Sequence, residues 1–137
     1  MKLPSVFPAN TIKAQRVLTW LKMNDYKNVS VLTDALYEAY WGGLDLDISQ
    51  DTVLVKVFEK VGGDKEWLAK ADIEAVKKEL KDRTDEAVAL GAFGAPTMIC
   101  TNSAGKTEFF FGSDRFEHVA MFLGEEWKGY SPKESKL

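Results

Sequence analysis

The stretch Gly91-Ala92-Phe93-Gly94-Ala95-Pro96-Thr97-Met98-Ile99-Cys100 decides how the chain is read. Upstream of it, apolar residues recur at helical spacing; after Pro96 they run in short blocks. Proline gives no N–H to a ladder, so it belongs at a strand's first residue, on an edge or at a bulge. Two readings of Pro96 stand open. It is a trans proline that starts a strand, or a cis proline that holds the backbone before it open for docking. About 5–6% of X–Pro bonds in folded proteins are cis, so the residues alone do not establish the second reading.

Working back from that loop, five helices are predicted in succession. Ala14, Val17, Leu18 and Leu21 share one face of a helix over Thr11 to Met23, with Asn10 as its N-cap. Leu32, Ala35, Leu36, Ala39 and Tyr40 share a face between Val31 and Trp41, and Gly42-Gly43 ends it. Ser49 caps a third helix carrying Val53, Leu54, Val57, Phe58 and Val61, stopped by Gly62-Gly63. Asp64 caps a short one with Trp67 and Leu68. Asp72 opens the longest, with Ile73, Val76, Leu80 and Ala87 inward and Gly91 as its stop.

Working forward, Thr97 to Thr101 and Thr107 to Phe111 read as two strands joined by the turn composition Asn102-Ser103-Ala104-Gly105. Both are nearly continuously apolar, the pattern of strands covered on both faces. Gly112-Ser113-Asp114 then caps a last helix with Phe116, Val119, Ala120 and Leu123 inward and Gly124 at its end. A lone hairpin is marginal in water, and an apolar strand with an open edge invites another strand. The pattern therefore expects further strands from elsewhere. The expected organisation is a helical domain over 1–90, a sheet-bearing part over 91–128 and a flexible polar tail over 129–137.

Bulk composition narrows the function. The chain has 137 residues, and 45% hydrophobic content suffices for a packed core. A net charge of −3 with no basic stripe gives no reason to expect nucleic acid. Apolar runs are too short for a membrane span, and Met1-Lys2-Leu3-Pro4 carries no signal-peptide core. The single cysteine, Cys100, excludes an internal CxxC redox pair and reads as a small buried hydrophobe. His118 lies off the apolar face of its helix and is expected to be solvated, with no metal-ligand cluster around it. Trp20, Trp41, Trp67 and Trp127 are expected to pack the bundle, and Phe109-Phe110-Phe111 to form sheet core. The terminal Ser135-Lys136-Leu137 matches the address read by the peroxisomal import receptor. Peroxisomal location is therefore expected, with mitochondrial or cytoplasmic location as the alternative.

Several motifs carry a resemblance. Gly91-Ala92-Phe93-Gly94-Ala95-Pro96, Phe111-Gly112-Ser113-Asp114-Arg115 and Leu123-Gly124-Glu125-Glu126-Trp127-Lys128-Gly129 are similar to motifs of the kappa-class glutathione transferases and of 2-hydroxychromene-2-carboxylate isomerases. Phe7-Pro8-Ala9-Asn10-Thr11, Ala14-Gln15-Arg16 and Leu36-Tyr37-Glu38-Ala39-Tyr40-Trp41 resemble the entry and second helix of that family's helical domain. The arrangement resembles the second half of a DsbA-like thioredoxin fold, an α/β class that is mostly α in these residues. Members of the family begin with a strand-helix-strand unit bearing a serine near the substrate sulfur, and this sequence starts after it. The catalytic residues are therefore expected in that unit and none here.

The resemblance implies glutathione as substrate and a small electrophile as its partner in conjugation. The thiol must ionise to attack, and an unperturbed thiol titrates at about 8.5, so the site has to favour thiolate. The resemblance makes Pro96 the cis residue, with the Ala95 main chain pairing with the cysteinyl segment as a very short added strand. It places Ser113 and Asp114 at the γ-glutamyl end, the hydroxyl and N–H groups on the carboxylate and the Asp114 side chain on the ammonium. Ordinary helix capping by the same two residues stands beside that role. Arg115 reads as a further contact to the ligand or as a solvated first-turn residue. The function expected is glutathione transfer in the complete protein, weak or absent in this chain alone. Alternatives are a glutathione-dependent isomerase of the hydroxychromene type and a non-catalytic binding fragment. A homodimer is a possible assembly.

Overall fold

A computed structural model of the chain describes residues 3–27 and 29–129. Ser135-Lys136-Leu137 lies outside the described residues. The chain divides into two compact units, Met1–Asp85 and Glu86–Leu137.

The first unit is helical: α1 (Ile12–Met23), α2 (Val29–Trp41), α3 (Asp51–Lys60), α4 (Trp67–Lys70) and most of α5 (Glu74–Ala89). The apolar stripes of α1, α2 and α3 converge, burying Val17, Leu21, Leu32, Leu54 and Phe58 almost completely. Removal of these side chains from water is the main force holding the unit together. Trp67 of α4 closes the core, its ring 5.6 Å from that of Phe58 and 5.4 Å from that of Tyr26. Gly63 leaves room for it, because a Cβ there would lie 2.6 Å from the indole. Tyr40 fastens the segment ahead of α1. Its hydroxyl donates to the Val6 carbonyl at 2.8 Å and accepts the Ala9 N–H at 3.3 Å.

The second unit contains the end of α5, a hairpin and a terminal helix. Gly91 adopts φ +87°, its N–H bonding to the Val88 carbonyl and the Ala92 N–H to Ala87, which satisfies the last carbonyls of α5. β1 (Thr97–Thr101) and β2 (Thr107–Phe111) pair antiparallel, with Thr97 opposite Phe111 and Ile99 opposite Phe109. Asn102 makes the turn, its side-chain oxygen accepting the N–H groups of Ala104 and Lys106. A 3-10 turn over Ser113–Arg115 leads into α6 (Phe116–Leu123). On one face of the hairpin Phe110 meets Phe122 of α6 at 5.7 Å.

Several expectations are corrected. The two strands are not covered on both faces: among the described residues none after Val76 is buried, and Ile99, Phe109 and Phe111 are near 40% exposed (40%, 38% and 38%). The Phe109–Phe111 run is thus only partly core. Ile73, Ala87, Phe116 and Leu123 are exposed rather than inward, and Leu80 is half-buried. A stripe states which residues share a face, not that anything packs on it. Cys100 is half-buried, not buried. Trp20 and Trp41 are half-buried against the helical core, while Trp127 belongs to the second unit.

The caps also move. Asn10 bonds the Ile12 N–H at 3.0 Å, but Thr11 is the N-cap of α1. Ser49 does not cap α3; it gives both its N–H and its hydroxyl to Asp47, and Gln50 takes the cap position. Asp64 accepts the Glu66 N–H just ahead of α4. Short polar side chains bond nearby backbone in turns as readily as at caps, so their presence does not fix which residue is the cap.

Candidate functional site

The loop from α5 into β1 brings the sequence-predicted residues together. The Ala95–Pro96 peptide is cis, as the resemblance implied. Phe7–Pro8 is a second cis bond, which the sequence reading did not single out. The Thr97 hydroxyl donates to the Gly94 carbonyl at 2.7 Å and fastens the loop across the bond. Ala95 is exposed, and among the described residues neither its N–H nor its carbonyl makes a hydrogen bond. That main chain is open to an extended ligand.

Across the hairpin, the Gly112 N–H donates to the Pro96 carbonyl at 3.0 Å. The bond continues the ladder one residue beyond the Thr97–Phe111 pair and sets the corner at Ser113 and Asp114 beside the cis-proline loop. Gly112 takes φ +103°, a conformation that side-chain-bearing residues rarely adopt. A Cβ there would also lie 2.5 Å from Asp114 Oδ1. Gly112, not Ser113 as expected, is the N-cap of the 3-10 turn, and Arg115 occupies that position for α6. Capping by the Ser113 side chain is thereby corrected. Ser113 and Asp114 are exposed, and the Arg115 guanidinium lies 3.7 Å from the Asp114 carboxylate, within reach of the same corner.

The small residues of the loop have a packing reason. A Cβ on Gly94 would come 2.9 Å from the Phe111 ring. Phe93, 73% exposed, lies over the same ring at 4.4 Å and over Phe109 at 6.0 Å. Phe93, Phe109 and Phe111 therefore form an aromatic shelf beside the loop, although Phe109 and Phe111 were expected only as sheet core.

His118 is exposed. Among the described residues no group of three or more His, Cys, Asp or Glu could hold a metal. None of the described helices is long and apolar enough to cross a membrane. The corner instead offers an open peptide edge, a hydroxyl and a carboxylate.

The family model of the DSBA-like thioredoxin domain matches residues 1–124, and the chain belongs to that family. Within it, the chain is similar to glutathione S-transferase kappa 1 of Rattus norvegicus, 35% identical over 126 residues, 89% of this chain and 55% of the rat protein. The human glutathione S-transferase kappa 1 is 32% identical over 126 residues with the same coverage. Glutathione s-transferase kappa 2 of Caenorhabditis elegans is 46% identical over 65 residues, 47% of this chain and 29% of that protein. The chain spans 55% of the length of its rat and human relatives.

Proposed function

We propose that the chain contributes the glutathione-holding corner and the helical part of a kappa-type glutathione transferase. In this reading the Ala95 main chain pairs with the cysteinyl residue of glutathione. Ser113 takes the γ-glutamyl carboxylate and Asp114 takes the α-ammonium. The observation that carries the reading is the 3.0 Å bond from the Gly112 N–H to the Pro96 carbonyl, which joins the two halves of the corner. Conjugation of the thiolate to a small electrophile is proposed for the whole protein, with the 137 residues alone binding glutathione but turning it over weakly or not at all.

Calorimetric titration with glutathione and with its desamino analogue tests the assignment. A charge-assisted hydrogen bond contributes about 1.5–3 kcal/mol, so Asp114→Asn is expected to weaken glutathione binding about tenfold or more. The same substitution leaves desamino-glutathione affinity unchanged, because that ligand lacks the ammonium. Equal losses for both ligands would remove Asp114 from the role. Import of the protein into peroxisomes through Ser135-Lys136-Leu137 belongs to the same proposal. A fluorescent fusion placed upstream of the chain is expected in peroxisomes and should leave them when Leu137 is deleted; identical distributions would contradict it.

A further inference from the structure

We propose that a cleft in the helical unit is a binding site for a small, neutral, fused-ring phenol. The cleft has a volume of about 450 Å³, and its walls include Phe7, Pro8, Leu18, Leu36, Tyr40 and Trp41. That volume falls within the range of small-molecule sites, roughly 300–1,000 Å³. Every lining residue lies between Phe7 and Ile48, within the first unit, so the proposal does not rest on the glutathione reading.

Three features select the ligand. Among the described residues no charged one lines the cleft. A carboxylate or ammonium entering it would lose water without gaining a counter-charge, so the ligand is neutral. The walls are aromatic and set at angles to one another: Phe7 stands edge-on to Trp41 at 5.9 Å and Tyr40 edge-on to Trp41 at 4.9 Å. Flat rings gain most from such offset and edge-to-face partners. The polar residues of the lining are all uncharged: Thr11, Gln15, Thr33, Tyr37 and Tyr40. The Thr33 hydroxyl, which donates to the Val29 carbonyl at 3.0 Å, keeps a lone pair for an incoming hydroxyl.

The cleft is also preformed. The Tyr40 hydroxyl ties the Val6–Ala9 segment that carries Phe7 and Pro8, so one wall is held before any ligand arrives. Binding to an organised wall avoids the ordering cost of closing a mobile loop.

Titration of the full chain, ¹⁵N-labelled, with 2-naphthol and with 2-naphthoate tests the proposal. The expected result is saturable amide shifts at Phe7, Ala9, Leu18 and Leu36 and at the Trp41 indole. 2-Naphthol is expected to bind about tenfold or more tighter than the charged naphthoate. Thr33→Phe narrows the cleft and should weaken 2-naphthol by a similar factor. Should that variant lose the native spectrum, Gln15→Trp, at an exposed lining position, carries the same expectation. Equal affinity for the two ligands, absence of saturable shifts, or unchanged affinity in the folded narrowed variant would overturn the site. So would shifts centred on Phe93, Phe109 and Phe111.

Discussion

Replacing Phe58 with alanine tests where the chain keeps its stability. Phe58 is 0% exposed and its ring lies 5.6 Å from that of Trp67. Removing such a side chain loses the transfer energy of the ring and leaves a cavity, about 3–5 kcal/mol in total. The first unit is Met1–Asp85. At about 0.05–0.15 kcal/mol per residue, a unit of that length has roughly 4–13 kcal/mol to lose. The substitution therefore removes between about a quarter and all of it. For a domain of this size each kcal/mol moves the midpoint by about 4–8 °C, so the thermal melt should fall by roughly 12–40 °C, or the helical signal be lost at room temperature. Far-UV circular dichroism reads both outcomes. Phe109→Ala is the control: the residue is 38% exposed, so the transfer energy lost is incomplete and the shift should be clearly smaller. A Phe58→Ala melt within about 2 °C of the parent would mean that the α1–α2–α3 interior does not carry the fold.

Further outcomes follow from individual contacts. A methyl on Gly42 would overlap the Glu38 carbonyl oxygen, which is helix backbone and cannot turn aside, so Gly42→Ala should cost about 1–3 kcal/mol in a denaturant melt; a neutral result would contradict the packing at the end of α2. Asp47 accepts bonds from the Ser49 hydroxyl, the Gln50 amide and the Ser49 N–H, which hold its carboxyl below the ordinary 3.8. A depressed folded pKa gives stability that is complete above the unfolded value and lost as pH falls through the folded one, so Asp47→Asn should flatten the loss seen below about pH 4, and parallel curves would refute it. α5 is exposed from Lys81 to its end, and its last turns are tied by Lys78–Asp82, Lys81–Asp85 and Glu79–Arg83 pairs. Salt screens such pairs, so amide exchange at residues 81–89 should quicken at high ionic strength, whereas salt-independent exchange would remove them as a cause. Among the described residues β1 pairs only with β2, and Thr97–Thr101 carries no charge, so sedimentation should show concentration-dependent self-association through the other edge; a monomer at every concentration would show that this edge is protected.

Much of this was legible in the residues. The strands fall on Thr97–Thr101 and Thr107–Phe111, as their composition and the Asn102–Gly105 turn implied, and Gly91 ends α5 as expected. Those signals are local: a turn needs particular residues at particular places, and glycine at a left-handed position has few substitutes. Burial in the second unit was not legible, because the stripe Phe116, Val119, Ala120 and Leu123 is identical whether or not something lies on it. Nor was the role of Ser49, whose partner Asp47 competes with the helix for it. At the site, Pro96 announced itself by its place at a strand mouth, but the cis geometry of its peptide was implied only by family resemblance. The closeness of Ser113 and Asp114 to Ala95 needed the hairpin register, which brings Gly112 onto the Pro96 carbonyl.

The most direct measurement places glutathione on the chain at atomic range. Isotope-filtered nuclear Overhauser spectra of labelled chain with unlabelled glutathione are expected to connect the ligand's cysteinyl protons to Ala95 and Thr97 and its γ-glutamyl protons to Ser113 and Asp114. Contacts confined to other residues, or saturating glutathione that leaves those four signals unmoved, would contradict the account.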